Sequence, residues 1–359
     1  MIDRSCFAAL SKLWPRHGCL LLVWAFLSPV FGAPEVLKTL SPQEISQFLK
    51  QPDRPYAWVV NPRDTTFQSV DLVWLEPGKL KPVARGRASV RCARVSMAAD
   101  GTLLCVGNQV PTQDKVFGPS TALVYSSDLS RYTAYRFFDS STRVSRARIS
   151  LDGQRRAWTL FARGHSYLDA SGASFSTEAW LAVGTRGPQS EPQNLESWPL
   201  IQNGKTVSAI DKNIWGITFH PSDPDRFLAT AQFNGAPYLV EGRWSTRQLH
   251  VIAKDVECPS YSPSGNMIAF KRRVSAQKWV PAIMSMDKRE TTVFRAVPDS
   301  VDDQIVWLND TVLLYEVTKV PMLGYVNIDL MTLDITQGRQ ATHKLWLADA
   351  RSPAHRLPR

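Results

Sequence analysis

The chain has 359 residues, of which 44% are hydrophobic and 21% charged, with 24 Pro, 19 Gly and 12 Trp. This composition supplies a sizeable core and favours a turn-rich, all-β protein over a helical one. A formal net charge of +10 favours anionic partners, whether acidic proteins, lipid headgroups or polyanionic glycans.

Residues 1–32 read as a signal peptide. Arg4, Lys12 and Arg16 precede an apolar run from Cys19 to Val30, and Phe31-Gly32-Ala33-Pro34 follows. The run is short of the ~20 residues that a bilayer span takes and fits a signal-peptide core. Val30 and Gly32 suit the −3 and −1 positions of a cleavage after Gly32; an uncleaved membrane anchor is the alternative. Loss of three cations and Asp3 lowers the net charge from +10 to +8. Export places the chain in the periplasm or outside the cell, where nucleic acid is not an expected partner.

Residues 33–50 form an N-terminal segment with one short helix. Ser41 is its N-cap, Pro42 occupies N1, and Glu44 at N3 completes a capping box. Leu40 and Ile45 stand at the positions of a hydrophobic staple, and Ile45, Phe48 and Leu49 give one apolar face. The helix should dock on the domain that follows.

Residues 51–350 carry a recurring hairpin. Its sharpest copy is Tyr261-Ser262-Pro263-Ser264-Gly265-Asn266-Met267-Ile268-Ala269-Phe270, where Pro and Gly set the turn between two strands. Met97–Val106 and Ile149–Trp158 share the layout, with Gly101 and Gly153 at the turn. Looser copies run from Phe219 to Ala229 and from Trp307 to Leu314, and the faintest from Pro52 to Trp58. The turn ends at 54, 101, 153, 225, 265 and 311, giving steps of 47, 52, 72, 40 and 46 residues. Periods of about 40–50 residues with four short strands are those of propeller blades. The long step implies a surface insertion, which residues 184–205, rich in Gly, Pro, Gln, Ser and Asn, would supply. A second strand pair follows each hairpin, as in Ala122–Asp128, Pro237–Gly242, Ala282–Asp287 and Tyr325–Leu330.

This pairing of hairpin and later strand pair resembles the WD-like repeats of TolB-type β-propellers over roughly residues 50–345. The resemblance implies a six-bladed propeller, with five or seven blades as alternatives. Its faint first repeat would be incomplete, or closed by a strand from the other terminus. Residues 351–359, with two Pro and three Arg, read as a disordered basic tail. In that family the propeller binds envelope partners around the channel mouth, notably a peptidoglycan-associated lipoprotein and Tol-system components. The chain departs from the family in lacking an α/β domain ahead of the propeller, which puts roles that need that domain in doubt.

Three cysteines remain after cleavage: Cys92, Cys105 and Cys258. Aligning the hairpins puts Ser96 opposite Cys105 and Cys92 about 13 Å up the strand at ~3.3 Å per residue. That exceeds the ~7 Å Cα limit for a bridge, so Cys92 and Cys105 are expected to stay apart. No Cys/His metal spacing occurs, and neither a metal nor a cofactor is expected.

Catalytic motifs are sparse. There is no Gly-x-Ser-x-Gly. Ser166, His165 and Asp169 fall together in the loop 164–171, a grouping that reads as ordinary hydrogen-bonded loop residues rather than a triad. His220 reads as a turn residue.

Charge placement within the repeats is more informative. Arg94 and Arg146 each lie three residues before the equivalent Met97 and Ile149, and Arg91 and Arg143 each lie six before. The matching segments of the fifth and sixth repeats carry Asp255, Glu257, Asp302 and Asp303 instead. In a propeller these segments ring one mouth of the channel, giving it a basic and an acidic side. Guanidinium groups grip carboxylates bidentately, so such a rim could orient a protein, peptide or chain end. The expected function is therefore that of an exported, monomeric envelope scaffold binding a protein or peptide, possible candidates being a lipoprotein or Tol-system component. Replacing the four arginines with Ala should weaken binding without unfolding the chain. The alternative is a glycan-acting hydrolase or lyase that uses the mouth carboxylates, which would need two of them to face one substrate. A third alternative is a purely structural or adhesion-type module.

Overall fold

The computed structural model describes residues 37–51, 53–61, 69–108, 120–138, 142–162, 175–181, 193–209, 212–276, 278–297, 300–319 and 327–356. The expected signal peptide at 1–32 and the loop 164–171 fall outside this set. Among the described residues no helix is long and apolar enough to cross a membrane.

The protein is a mainly-β propeller with one short helix near its N-terminus. Helix α1 (Pro42–Leu49) begins as its sequence dictates. Ser41 Oγ accepts the Glu44 N–H at 3.2 Å, and Glu44 returns a bond to the Ser41 N–H at 2.8 Å. Ile45 and Phe48 are buried against Tyr56, Trp58 and Leu72, so the helix docks by its apolar face.

Strands then follow in chain order, grouped into sheets. The first sheet has β1 (Tyr56–Val60), β2 (Ser69–Leu75) and β3 (Pro82–Arg91). The second has β4 (Arg94–Met97), β5 (Leu103–Asn108), β6 (Ser120–Tyr125) and β7 (Tyr132–Phe138). The third has β8 (Thr142–Ile149), β9 (Arg155–Ala162), β10 (Phe175–Leu181) and β11 (Gln193–Asn194). Two short strands come next, β12 (Leu200–Gln202) and β13 (Lys205–Thr206), before the fourth sheet's β14 (Asn213–Phe219), β15 (Arg226–Phe233), β16 (Ala236–Arg243) and β17 (Gln248–Lys254). The fifth has β18 (Val256–Tyr261), β19 (Met267–Ser275), β20 (Lys278–Ser285) and β21 (Thr291–Val293), and the sixth β22 (Val301–Trp307), β23 (Val312–Lys319), β24 (Asn327–Asp334) and β25 (His343–Leu347). The last strand, β26 (Arg351–Arg356), pairs antiparallel with β1 and takes the inner position of the first sheet.

The expectation of a disordered tail at 351–359 is thereby overturned for residues 351–356. Ser352, Pro353 and Ala354 are buried, because the first sheet lacks an inner strand of its own. The expected surface insertion is also corrected over its described part. Residues 193–206 complete the third sheet through β11 and extend the fourth, where β12 pairs parallel with β17. Trp198 between them packs on Phe227 and Trp244.

Both faces of the middle strands are buried, and successive residues serve opposite neighbours. Tyr56, Trp58 and Val60 pack toward the second sheet, Ala57 and Val59 toward the sixth. Leu228 packs toward the fifth sheet, Phe227, Ala229 and Ala231 toward the third. Tyr315 packs toward the fifth and Leu314 toward the first. Strand pleating sends alternate side chains to opposite faces, so this alternation builds a core between each neighbouring pair of sheets and closes the ring.

The pair Cys92 and Cys105 forms a disulfide, with Cα atoms 5.4 Å apart. The expectation that they stay apart fails for two reasons. The Ala98–Thr102 turn is one residue shorter than its Ser262–Met267 counterpart, which puts Val95 opposite Cys105. The chain also leaves strand geometry at Cys92, between β3 and β4, so the extended spacing does not apply. Gly107, at φ +128°, admits this close approach: a Cβ there would lie 2.4 Å from that of Ala93.

Candidate functional site

The inner strands share a device that shapes the channel. A β-bulge interrupts β8, β14, β18 and β26. Its first residue is Arg146, Gly216, Cys258 or Ser352, each with positive φ, between +49° and +64°. Bulges bend a strand and turn backbone groups out of its ladder. Those groups are then taken up by side chains of the preceding sheet. Thr230 Oγ1 accepts the Cys258 N–H at 2.8 Å, and Glu316 Oε1 accepts the Ser352 N–H at 2.6 Å. Gln304 Nε2 donates to the Ile217 carbonyl at 3.3 Å, across the ring.

The bulges bring charged side chains to one small channel cavity. Arg94, Arg146, Arg148, Gln304, Val306, Glu316, Ser352 and Pro353 line a volume of about 10 Å³, room for roughly one water. Arg146 is 1% exposed and Arg94 is 7% exposed, while Arg148 is half-buried. Arg94 Nη1 donates to the Ala93 carbonyl and Arg148 Nη1 to that of Ala147, both at 2.8 Å. Arg351 Nη2 adds a 3.4 Å contact to the Ala93 carbonyl. Guanidinium groups stay charged under all ordinary conditions, so the cavity wall is cationic on the second and third sheets and faces the Glu316 carboxylate of the sixth.

The structure thus brings together Arg94 and Arg146, as their matched positions imply. It separates Arg91 and Arg143. Arg91 ends β3, the outer strand of the first sheet, opposite Ser69, whereas Arg143 lies on the inner strand β8 opposite Phe161. Counting residues fails here because β8 starts earlier than β4 relative to its turn and carries an extra bulge residue. The side chains of Arg143, Asp302 and Asp303 lie outside the described residues. Arg94 and Arg146 are buried, so Ala at either position would also alter a desolvated cluster.

On the other side, Asp255 sits half-buried at φ +59° in the connection to β18, its N–H donating to the Pro237 carbonyl at 2.8 Å. Glu257 pairs with Lys271 of its own sheet at 3.2 Å, and Lys271 lies over the Trp279 ring. Glu257 is therefore engaged within the fifth sheet. His220 caps its own turn, with Nδ1 accepting the Asp223 N–H at 2.9 Å. Among the described residues no group of three or more His, Cys, Asp or Glu is placed to hold a metal.

Sequence reasoning missed Gln304, Glu316 and Ser352. Glu316 had a signal, a lone carboxylate inside the apolar run Leu313-Leu314-Tyr315-Glu316-Val317. Ser352 had none, since its strand exists only through pairing with β1.

No family model matches the sequence, and no curated protein matches it. Solved structures do match. TolB from Acinetobacter baumannii is similar with a TM-score of 0.56 at 14% identity, over 87% of this chain and 70% of that one. A putative TolB from Agrobacterium tumefaciens aligns with a TM-score of 0.48 at 11% identity, over 82% and 89%. A puromycin-hydrolyzing peptidase of Mycobacterium tuberculosis aligns with a TM-score of 0.48 at 10% identity, over 82% of this chain and 45% of that one. At these identities the likeness concerns the fold, a TolB-like β-propeller.

Proposed function

We propose that the chain is an exported binding scaffold of the bacterial envelope, a six-bladed propeller in which each sheet is one blade. It takes an acidic protein or peptide at the end of the channel where the inner strands begin. The observation that carries this reading is the convergence of Arg94, Arg146 and Arg148 on one channel cavity. A cationic, partly desolvated wall attracts carboxylates more strongly than the same charges in open solvent. The cavity itself admits only a water-sized guest, so the partner is held at the mouth and does not thread the ring. The TolB-like fold adds a class of partner, an envelope lipoprotein or Tol-system component.

The test uses residues 33–359 with Arg148→Glu, at a half-buried position of the cavity wall that spares the buried pair. Solubilised envelope from the host is passed over immobilised wild type and variant, and bound proteins are identified by mass spectrometry. A partner kept by wild type, released by salt and lost from the variant supports the reading. Equal retention by both proteins removes the channel mouth as the binding site.

A further inference from the structure

A second concave site lies away from the channel mouth. Its floor is the meeting of α1 with the first sheet, and its lining is Phe48, Arg54, Pro55, Trp74, Leu75, Glu76, Pro77, Val83 and Ala84. The end of β2 and the start of β3 meet here, beside Tyr56, whose hydroxyl contacts Met97 Sδ at 3.6 Å just before the second sheet's hairpin turn. The groove therefore sits at the turn end of the sheets, opposite the end where the inner strands begin.

The groove has a volume of about 520 Å³, within the range of roughly 300–1,000 Å³ typical of ligand sites. Phe48 meets Trp74 edge-on at 5.2 Å, which fixes the indole as one wall. Trp74 remains half-exposed, and Val83 is 59% exposed. Aromatic, proline and branched aliphatic walls exposed in a concavity mark a recognition surface.

The rim supplies the sign of the ligand. Arg54 is exposed and has no ion-pair partner among the described residues, whereas Glu76 is neutralised by Lys79 at 2.6 Å. The segments that form the rim carry Lys50, Arg54, Lys79 and Lys81 against Asp53 and Glu76.

We propose that this groove binds an acidic peptide segment anchored by a bulky apolar side chain, with a carboxylate of the peptide on Arg54. The anchor would lie between Trp74, Pro55 and Pro77.

The probe is a fluorescein-labelled heptapeptide with a central Phe-Leu-Phe and two acidic residues on each side, titrated into residues 33–359 by polarisation. Saturable binding is expected, weakened at least tenfold by Ala84→Trp, which fills the groove from an exposed position, and by Arg54→Glu. A peptide with lysines in place of the acids should not bind. Arg148→Glu should leave this binding unchanged, which separates it from the channel-mouth reading. The proposal is overturned by equal affinity for Ala84→Trp, by equal binding of the lysine peptide, or by no binding up to about 1 mM. It is also overturned if Ala84→Trp instead dissociates a dimer of the chain, or if dodecanoate alone occupies the groove.

Discussion

Ser352 and Val95 stand 257 residues apart in sequence and exchange two hydrogen bonds. The Val95 N–H donates to Ser352 Oγ at 3.0 Å, and that hydroxyl donates to the Val95 carbonyl at 3.3 Å. One buried side chain thus fastens the final strand to the inner strand of the second sheet, while its own N–H is held by Glu316.

Replacing this hydroxyl should loosen ring closure. Ser352 lies at φ +49°, which glycine adopts more readily than alanine. We expect Ser352→Ala to lower stability by about 2–3 kcal/mol and Ser352→Gly by about 1–2 kcal/mol, in urea unfolding of residues 33–359. Equal costs for the two would show that backbone conformation contributes nothing there.

The disulfide gives a second prediction. Cys92 and Cys105 are separated by 13 residues, and Cys258 is buried and lies outside the bridge. Closing a loop of this size stabilises by about 3 kcal/mol in the chain-entropy account. Reduction should lower the urea midpoint by a corresponding amount. Thiol titration of denatured residues 33–359 should count Cys258 alone before reduction and all three cysteines after it.

Glu196 should make stability depend on pH. Burial raises its carboxyl from 4.5 to about 7, against the opposing influence of the Ile214 N–H and Lys212. The folded state then holds a proton between those values that the unfolded state has released. Stability should fall as pH rises from about 4.5 to about 7, by about 1–2 kcal/mol after allowance for solvent screening. Glu196→Gln keeps an acceptor for the Ile214 N–H and should flatten that slope, read from urea midpoints at pH 5 and pH 8.

The capping box predicts a smaller, local effect. Ser41→Ala removes the side-chain acceptor of the Glu44 N–H and should cost about 1 kcal/mol. Amide exchange should quicken in the first turn of α1, with Trp58 and the rest of the first core less affected. Unchanged protection at Ile45 would assign the helix start to docking instead of capping.

The local parts of this protein follow from residues close together in the chain. Gly101, Gly153 and Gly265 take positive φ at their hairpin turns, because a three- or four-residue reversal requires a backbone that other residues adopt at a cost. Ser41, Pro42 and Glu44 start a helix through contacts within one turn of chain. The propeller class and the approach of Arg94 to Arg146 were likewise legible, since repeat spacing carries position from sheet to sheet.

What joins distant segments depends on the folded ring as a whole. The strand at Arg351–Arg356 exists because β1 offers an unpaired inner edge, and no local pattern in Arg-Ser-Pro-Ala-His-Arg announces it. Cys92 reaches Cys105 because a shorter turn shifts the register and the chain bends between β3 and β4. The bulges at Cys258 and Ser352 depend on acceptors from the neighbouring sheets. The last strand and the bulge contacts pair backbone groups in a closed ring, and that requirement has no counterpart in any single repeat.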